Sequence, residues 1–242
     1  MPAELIIEDS LDCGGLSEIA IPFEVAACGD GVTTVRACAE LEAAARDFIN
    51  RFAGIELSPE AVAFIESAAA PLLERENLVP TGDCGSMRIF RYNGAPDTIY
   101  NGRPAGEACE AVPFDPSAGF DNLTTFDLDY MYSLGQRILV VIRDNAVVSA
   151  AAASPCGGDR AELSVETADG YTGRGYASAC AAALARMLHE EGVTALYLAQ
   201  EDNPASHAAA RKAGFGEAGG MYQLVCRKKT KRRKFRFRKF LV

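Results

Sequence analysis

The stretch that runs from Val165 to Ala177 combines residue types that could bind a charged ligand. Its pattern predicts a strand, a turn containing Gly173 and Gly175, and then the start of a helix. The first N–H groups of a helix lack internal partners and lie at the positive end of its dipole, and glycine lets a ligand approach the backbone closely. The segment therefore predicts an anion site, best matched to a pyrophosphate. A glycine turn that merely joins a strand to a helix is the alternative.

Sequence signatures of several other site classes are missing. Ser178 replaces the third glycine of the dinucleotide-binding fingerprint, and the chain contains no Gly-Lys-Ser or Gly-Lys-Thr of a P-loop. The 8 cysteines form no C-x-x-C pair, and there are only 2 histidines. We therefore predict no metal site and expect reduced cysteines that serve as small apolar residues.

The frame Thr172-Gly173-Arg174-Gly175-Tyr176-Ala177 resembles the acetyl-CoA loop of the GNAT N-acetyltransferase superfamily, which reads Arg/Gln-x-x-Gly-x-Gly/Ala. Farther along, the segment from Asn203 to Phe215 is similar to the family's Asn-x-x-Ala/Ser and Leu-Gly-Phe motifs. The strands predicted around Val147–Ala151 and Glu162–Thr167 are similar to its third and fourth strands. The resemblance covers about residues 126–226, with the motifs in the family's order.

The resemblance implies a place for acetyl-CoA. In this family two central parallel strands splay apart, helped by a bulge in the fourth strand, and acetyl-CoA lies in the gap. Backbone groups near Val165 and Thr167 would pair with the pantetheine arm, and Asn203 would meet the arm from the far wall. The N–H groups of residues 173–178 would hold the pyrophosphate. The implied cofactor-binding set is Val165, Thr167, Thr172, Gly173, Arg174, Gly175, Tyr176, Ala177, Ser178, Asn203 and Ser206.

The resemblance also implies direct transfer of an acetyl group to the primary amine of a small molecule or peptide. The attacking amine must lose a proton, so a general base is needed. Glu162 and Glu166 are the candidate bases, because the period of two places them on one face of the predicted strand. Their alternative is a solvated edge or a surface salt bridge. The N–H of Val165 or Glu166 is predicted to stabilise the oxyanion.

Two positions depart from the family pattern. Thr172 stands where Arg or Gln is usual, which removes one side-chain contact near the phosphates. Ala210 stands where many members have a Tyr that protonates the leaving thiolate. Either Tyr222, His207 or water takes this role, or catalysis is weak, or the protein only binds CoA.

These observations predict an α/β (α+β) fold, a GNAT-like mixed and splayed sheet flanked by helices, after a helical and loop-rich N-terminal region. The expected domains are residues 1–125, with an acceptor-side role, the acetyltransferase core at 126–226, and a basic tail at 227–242. The predicted helices are 34–52, 59–76, 175–191 and 203–213. The predicted strands are 18–25, 87–92, 98–100, 138–142, 146–154, 161–167 and 194–199, with a last hairpin over 215–226 that turns at 219–220.

The charge distribution separates an acidic body from a basic tail. The net charge is −9, yet residues 227–242 hold ten basic residues and no acidic one. We expect the tail to dock on the body or on a second copy in a homodimer, with nucleic-acid binding as the less favoured alternative. The acidic body favours a cationic acceptor.

Location and function class follow from the remaining composition. No run of about 18 apolar residues occurs, so no membrane association is expected. Residues 1–12 carry four acidic and no basic side chains, unlike a signal peptide, and a cytoplasmic protein is predicted. The leading hypothesis is an N-acetyltransferase that uses acetyl-CoA and an amine. The alternatives are a non-catalytic acyl-CoA-binding module and an RNA- or ribosome-associated acetyltransferase.

Overall fold

The computed structural model describes most of the chain, and every structural statement below concerns the described residues. These are residues 3–8, 19–28, 33–52, 57–81, 85–94, 99–100, 103–104, 110–156 and 158–229. The basic segment 230–242 lies outside them. The predicted role of the tail, and the predicted division at residues 125 and 226, therefore stay predictions.

Sixteen strands and five α-helices are described. The strands are β1 (Ala3–Glu8), β2 (Ile19–Ala20), β3 (Phe23–Cys28), β4 (Thr33–Cys38), β5 (Leu78–Pro80), β6 (Gly85–Tyr92), β7 (Ile99–Tyr100), β8 (Arg103–Pro104), β9 (Val112–Pro113), β10 (Asp121–Asn122), β11 (Arg137–Arg143), β12 (Ala146–Pro155), β13 (Arg160–Thr167), β14 (Thr194–Gln200), β15 (Phe215–Gln223) and β16 (Cys226–Lys228). The helices are α1 (Glu42–Phe52), α2 (Pro59–Arg75), α3 (Leu128–Ser133), α4 (Tyr176–Glu190) and α5 (Pro204–Lys212). Short 3-10 turns lie at Ala39–Leu41 and Pro116–Ala118.

The chain divides into two compact units, and the first contains residues 1–27, 31–85 and 222–242. In it β1 pairs in parallel with β4, β3 pairs antiparallel with β4, and β16 lies between β2 and β5. The helices α1 and α2 pack together over a core that includes Phe23, Val35, Phe48 and Ile65. As the sequence predicts, α2 begins at Pro59, and the Ser58 Oγ accepts a hydrogen bond from the third residue of the first turn.

The second unit contains residues 28–30 and 86–221 and holds a mixed sheet. Its strand order is β15-β6-β14-β13-β12-β11-β9, and β10 pairs with the first residues of β12. Along this order β13 and β14 pair in parallel, while β11, β12 and β13 form an antiparallel meander. The fold class predicted from the sequence is confirmed, because the sheet is mixed and flanked by helices.

Side chains that alternate along the strands pack into two apolar layers, one on each face of the sheet. Leu139 and Val141 of β11 pack with α4 and α5, whereas Ile138 and Val140 pack with the Leu128 side chain of α3. The strand period of two thus fixes which face each residue meets. The helix α4, whose small residues are almost all buried, covers the first face, and α3 contributes to the second.

Three predicted elements differ from the structure. The helix predicted over 34–52 begins as strand β4, where Val35 and Ala37 are buried and Arg36 is exposed, and turns helical only at Ala39. β-branched residues favour a pleated strand at its start. The hairpin predicted over 215–226 is also absent: β15 runs straight through Gly219, and β16 pairs with β2 and β5 instead. The predicted strand 18–25 is interrupted at residues 21–22, where Pro22 lacks a donor.

The remaining elements of the second unit are confirmed to within two residues. This holds for the strands β6, β11, β12, β13 and β14 and for the helices α4 and α5. Among the described helices, none has the length and apolar character that crossing a membrane would require.

Candidate functional site

A gap opens in the sheet of the second unit where its two parallel strands separate. β13 and β14 pair from Arg160 opposite Thr194 to Leu163 opposite Tyr197, and no further. Beyond that point β13 continues to Thr167, and a cleft of about 500 Å³ lies between the strands. A splayed pair of parallel strands was expected from the resemblance, and this is where it occurs.

The cleft brings together most of the residues singled out from the sequence. Every predicted site residue except Glu162 and Arg174 contributes to its lining: Val165, Glu166, Thr167, Thr172, Gly173, Gly175, Tyr176, Ala177, Ser178, Asn203 and Ser206. The other lining residues are Tyr171, Tyr197, Ala205, Ala208, Ala209 and Lys212. Tyr197 and Lys212 are not among the site residues predicted from the sequence.

The backbone of β13 presents alternate residues to the gap. The Ala168 N–H donates to Val148 O at 2.9 Å, and the Cys156 N–H donates to Arg160 O at 3.1 Å, so even-numbered residues of β13 pair with β12. Because hydrogen-bonding direction alternates along a strand, Val165 and Thr167 direct their N–H and C=O groups toward the gap. The Glu166 N–H is directed toward β12. Of the two N–H groups predicted to stabilise an oxyanion, only that of Val165 is therefore directed toward the cleft.

The resemblance predicts a β-bulge in β13, which corresponds to the family's fourth strand, but the bulge lies in the neighbouring strand β12. β12 and β13 keep an unbroken register from Ser149 opposite Thr167 to Pro155 opposite Ala161. The register instead shifts between β11 and β12, where Val148 is the extra residue. The expectation of a bulge in β13 is therefore wrong, and the buried Ser149 hydroxyl holds β13 by bonding Glu166 O at 2.7 Å.

The N-terminus of α4 forms one end of the cleft. Gly175 is its N-cap, with φ of 84°, and no side chain caps the helix, so its first N–H groups are left for another partner. Gly173 has φ of 75°, a left-handed conformation that favours glycine. Arg174 does not line the cleft; it donates a hydrogen bond to Gly170 O at 2.9 Å, and its guanidinium lies 5.1 Å from the centroid of the Tyr171 ring.

The two candidate bases lie on one face of β13, but their surroundings differ. Ala161 and Leu163 pack with α4, so Glu162 and Glu166 project from the opposite face. The Glu166 carboxylate accepts two hydrogen bonds from Thr125, from the backbone N–H and from Oγ1, both at 2.9 Å. Glu166 lines the cleft, whereas Glu162 does not.

The far wall is formed by β14 and α5. The Asn203 Oδ1 caps α5 by accepting from the Ser206 N–H at 3.0 Å, which leaves the Asn203 amide nitrogen for a ligand. The Tyr197 hydroxyl lies 3.0 Å from Ser206 Oγ, and burial raises the pKa of Tyr197 above its usual value. The sequence alone did not indicate that Tyr197 lines the cleft or that its hydroxyl meets Ser206.

His207 and Tyr222, the residues suggested as proton donors in place of the family's tyrosine, lie outside the cleft. His207 is buried, and its Nε2 lies 2.9 Å from Gln200 O. Tyr222 donates to Glu66 Oε1 at 3.1 Å. Neither lines the cleft, and Ala210 is fully buried. Within the described ranges no cluster of three potential metal ligands occurs.

A comparison with protein families matches residues 108–215 to the model described as "Acetyltransferase (GNAT) family". The matched range contains β13, β14, α4 and α5, which together form the cleft. A comparison with curated proteins finds no match.

Solved structures provide further similarities. One is a protein assigned to the GNAT acetyltransferases from Novosphingobium aromaticivorans, with 15% identity, a TM-score of 0.47, and coverage of 64% of this chain and 69% of that one. Another is a GNAT-family acetyltransferase from Colwellia psychrerythraea, with 12% identity, a TM-score of 0.46, and coverage of 83% of this chain and 81% of that one.

Proposed function

Because residues 108–215 form an acetyltransferase domain of the GNAT family, we propose that this chain transfers the acetyl group of acetyl-CoA to a primary amine of a small molecule or peptide. The observation that carries the proposal is the separation of β13 from β14 beyond Leu163, beside a helix N-terminus without a side-chain cap. An extended chain fits between the strands, and an anion fits at the helix end.

The donor would bind through backbone groups and nearby cations. Val165 and Thr167 offer N–H and C=O groups to the amides of the pantetheine arm, as a strand would. The first turn of α4 offers N–H groups to the pyrophosphate. Arg143 lies with its guanidinium 5.1 Å from the ring centroid of Tyr176, which lines the cleft, so it adds positive charge near this end.

The acceptor would approach from the face of the sheet that carries α3. Glu166 projects from that face and lines the cleft, so it is placed to take the proton of the attacking amine. The Val165 N–H would then stabilise the oxyanion that forms at the acetyl carbonyl. Tyr130 and Tyr132 of α3 are 59% and 50% exposed, and we propose them as contacts for the rest of the acceptor.

The test is release of the CoA thiol in the presence of a panel of primary amines. We expect the wild type to release thiol with at least one amine, and Glu166→Gln to lower kcat/KM by about 100-fold or more. Glu190→Gln, on the exposed end of α4, is the matched control and should behave as wild type. Equal loss in both variants, or none in Glu166→Gln, would remove Glu166 as the base.

The second candidate is an acyl-CoA-binding module that does not catalyse transfer. The observation that favours it is the fully buried Ala210, because a methyl group can supply no proton to a leaving thiolate. Tight binding of CoA by calorimetry, together with no thiol release for any amine in the panel, would select this candidate over the enzyme.

A further inference from the structure

Tyr197 is an almost fully buried residue of the cleft, and a hydrogen bond fixes the position of its hydroxyl. Tyr197 is 5% exposed and is the last residue of β14 that pairs with β13. Its ring is wedged edge-on against Phe90 and Phe215, at centroid distances of 6.5 and 5.7 Å. Tyr197 and Ser206 both line the cleft, and their hydroxyl oxygens lie 3.0 Å apart, with Ser206 in the first turn of α5.

Acetyl transfer creates a need for a proton on this side of the sheet. When the amine nitrogen bonds to the acetyl carbon, the carbon–sulfur bond breaks and its electron pair goes to the sulfur. A neutral acid beside the sulfur would convert the thiolate directly to the thiol. Glu166 projects from the opposite face and is assigned to the amine, so it cannot serve both ends.

Tyr197 meets two requirements for the acid that protonates the sulfur, because its phenol is protonated and its oxygen has a hydrogen-bond partner in Ser206. Burial raises the pKa of Tyr197, so the phenol carries its proton at neutral pH. The hydrogen bond with Ser206 opposes this rise in the pKa of Tyr197, because a bond donated by the Ser206 hydroxyl stabilises the phenolate that remains after the proton leaves. With Ser206 as donor, the phenol's own proton is directed elsewhere.

We propose that the Tyr197 hydroxyl donates its proton to the departing CoA sulfur and that Ser206 positions this hydroxyl, an assignment that rests on the proposed acetyl transfer. The amine proton leaves through Glu166 to water, and the phenolate regains a proton from water. The net products are an amide and the CoA thiol. Lys212, which lies six residues beyond Ser206 on α5, also lines the cleft and is the rival donor.

The discriminating experiment varies the leaving group. The acetyl selenoester of CoA is nearly isosteric with acetyl-CoA, but its selenolate is a far weaker base and needs no acid. With acetyl-CoA, Tyr197→Phe should lower kcat by about 100-fold, with little change in KM. With the selenoester, the same variant should lose less than about 5-fold. Ser206→Ala should lose about tenfold with acetyl-CoA, and Ser206→Thr should recover most of that loss.

The controls separate chemistry from packing. Tyr92→Phe also removes a buried tyrosine hydroxyl from the same apolar layer, but Tyr92 does not line the cleft, so both donors should react as with wild type. Lys212→Gln should change KM without making the rate depend on the leaving group.

Each outcome of the leaving-group experiment supports or overturns the assignment of Tyr197 as the proton donor. Equal losses with both donors in Tyr197→Phe would mean a packing role and would overturn it. A defect confined to acetyl-CoA in Lys212→Gln, with normal rates in Tyr197→Phe, would transfer the role to Lys212. If the wild type transfers the acetyl group but Tyr197→Phe is unaffected, only this assignment fails. If the wild type transfers it from neither donor, the proposed function fails as well.

Discussion

Replacing Gly173 with alanine tests whether the loop before α4 is an anion site. Gly173 has φ of 75°, and a Cβ built there would meet no atom within 4 Å. The substitution therefore costs only backbone strain, roughly 1–2 kcal/mol for an L-residue in the left-handed region. We expect the free energy of unfolding to fall by up to this amount.

The same strain should weaken CoA binding if the loop holds the pyrophosphate. In the free variant, the loop relaxes toward a negative φ, and binding must restore the left-handed conformation at a cost of roughly 1–2 kcal/mol. Since 1.4 kcal/mol is tenfold in affinity, we expect the Kd for CoA, measured by calorimetry, to rise between about 5-fold and 30-fold.

Gly192→Ala is the matched control for this measurement. Gly192 follows the other end of α4, has φ of 78°, and also has no atom within 4 Å of a built Cβ. It should lose similar stability in a thermal unfolding experiment and keep the wild-type Kd. Unchanged affinity in Gly173→Ala despite the loss of stability, or equal weakening in both variants, would refute the reasoning that the 173–178 amides bind the phosphates.

Three further perturbations probe the site and the cysteines. Thr125→Val removes the Oγ1 hydrogen bond to Glu166 at nearly constant volume, so kcat/KM for the amine should fall by about tenfold or less in the thiol-release assay. Arg174→Gln removes a cation beside the phosphate loop, so the Kd for CoA should rise a few-fold at low salt, and the difference should shrink as salt is added. A thiol reagent at neutral pH should modify the exposed Cys156 before the buried Cys38, whose pKa is raised by burial; peptide mapping by mass spectrometry checks the order.

Local sequence patterns predicted the elements of the second unit well. The apolar run at 138–142 and the alternation at 161–167 are strong strand signals, and Gly175 and Gly192 bracket the helix between them. The position of the cleft followed from the resemblance, because the sequence of β13 alone does not show where pairing with β14 stops. The choice of Val165 over Glu166 as the proposed oxyanion donor needed the observed register and hydrogen bonds between β12 and β13.

The N-terminal unit was less predictable, for identifiable reasons. Residues 34–52 carry apolar side chains at spacings that suit one long helix, but Val35 and Ala37 are also compatible with alternation. Pairing of β4 with both β1 and β3 selects the strand, and this tertiary context is invisible in the local pattern. The pair Gly219-Gly220 is similarly ambiguous, since glycine permits a turn and an extended strand alike.

The gap between β13 and β14 explains how Glu166 and Tyr197, which project from opposite faces of the sheet, can both line one cleft. Within a continuous sheet, residues on its two faces are separated by the backbone ladder. Once pairing ends at Leu163, a carboxylate on the α3 face and a phenol on the α5 face both reach the same opening. In the proposed mechanism, Glu166 faces the amine nitrogen and Tyr197 faces the sulfur, so the base and the acid act on the two reactants without direct contact with each other. In the proposed mechanism, strand separation therefore does more than admit the pantetheine arm, because it also places the base and the acid on opposite faces of the sheet.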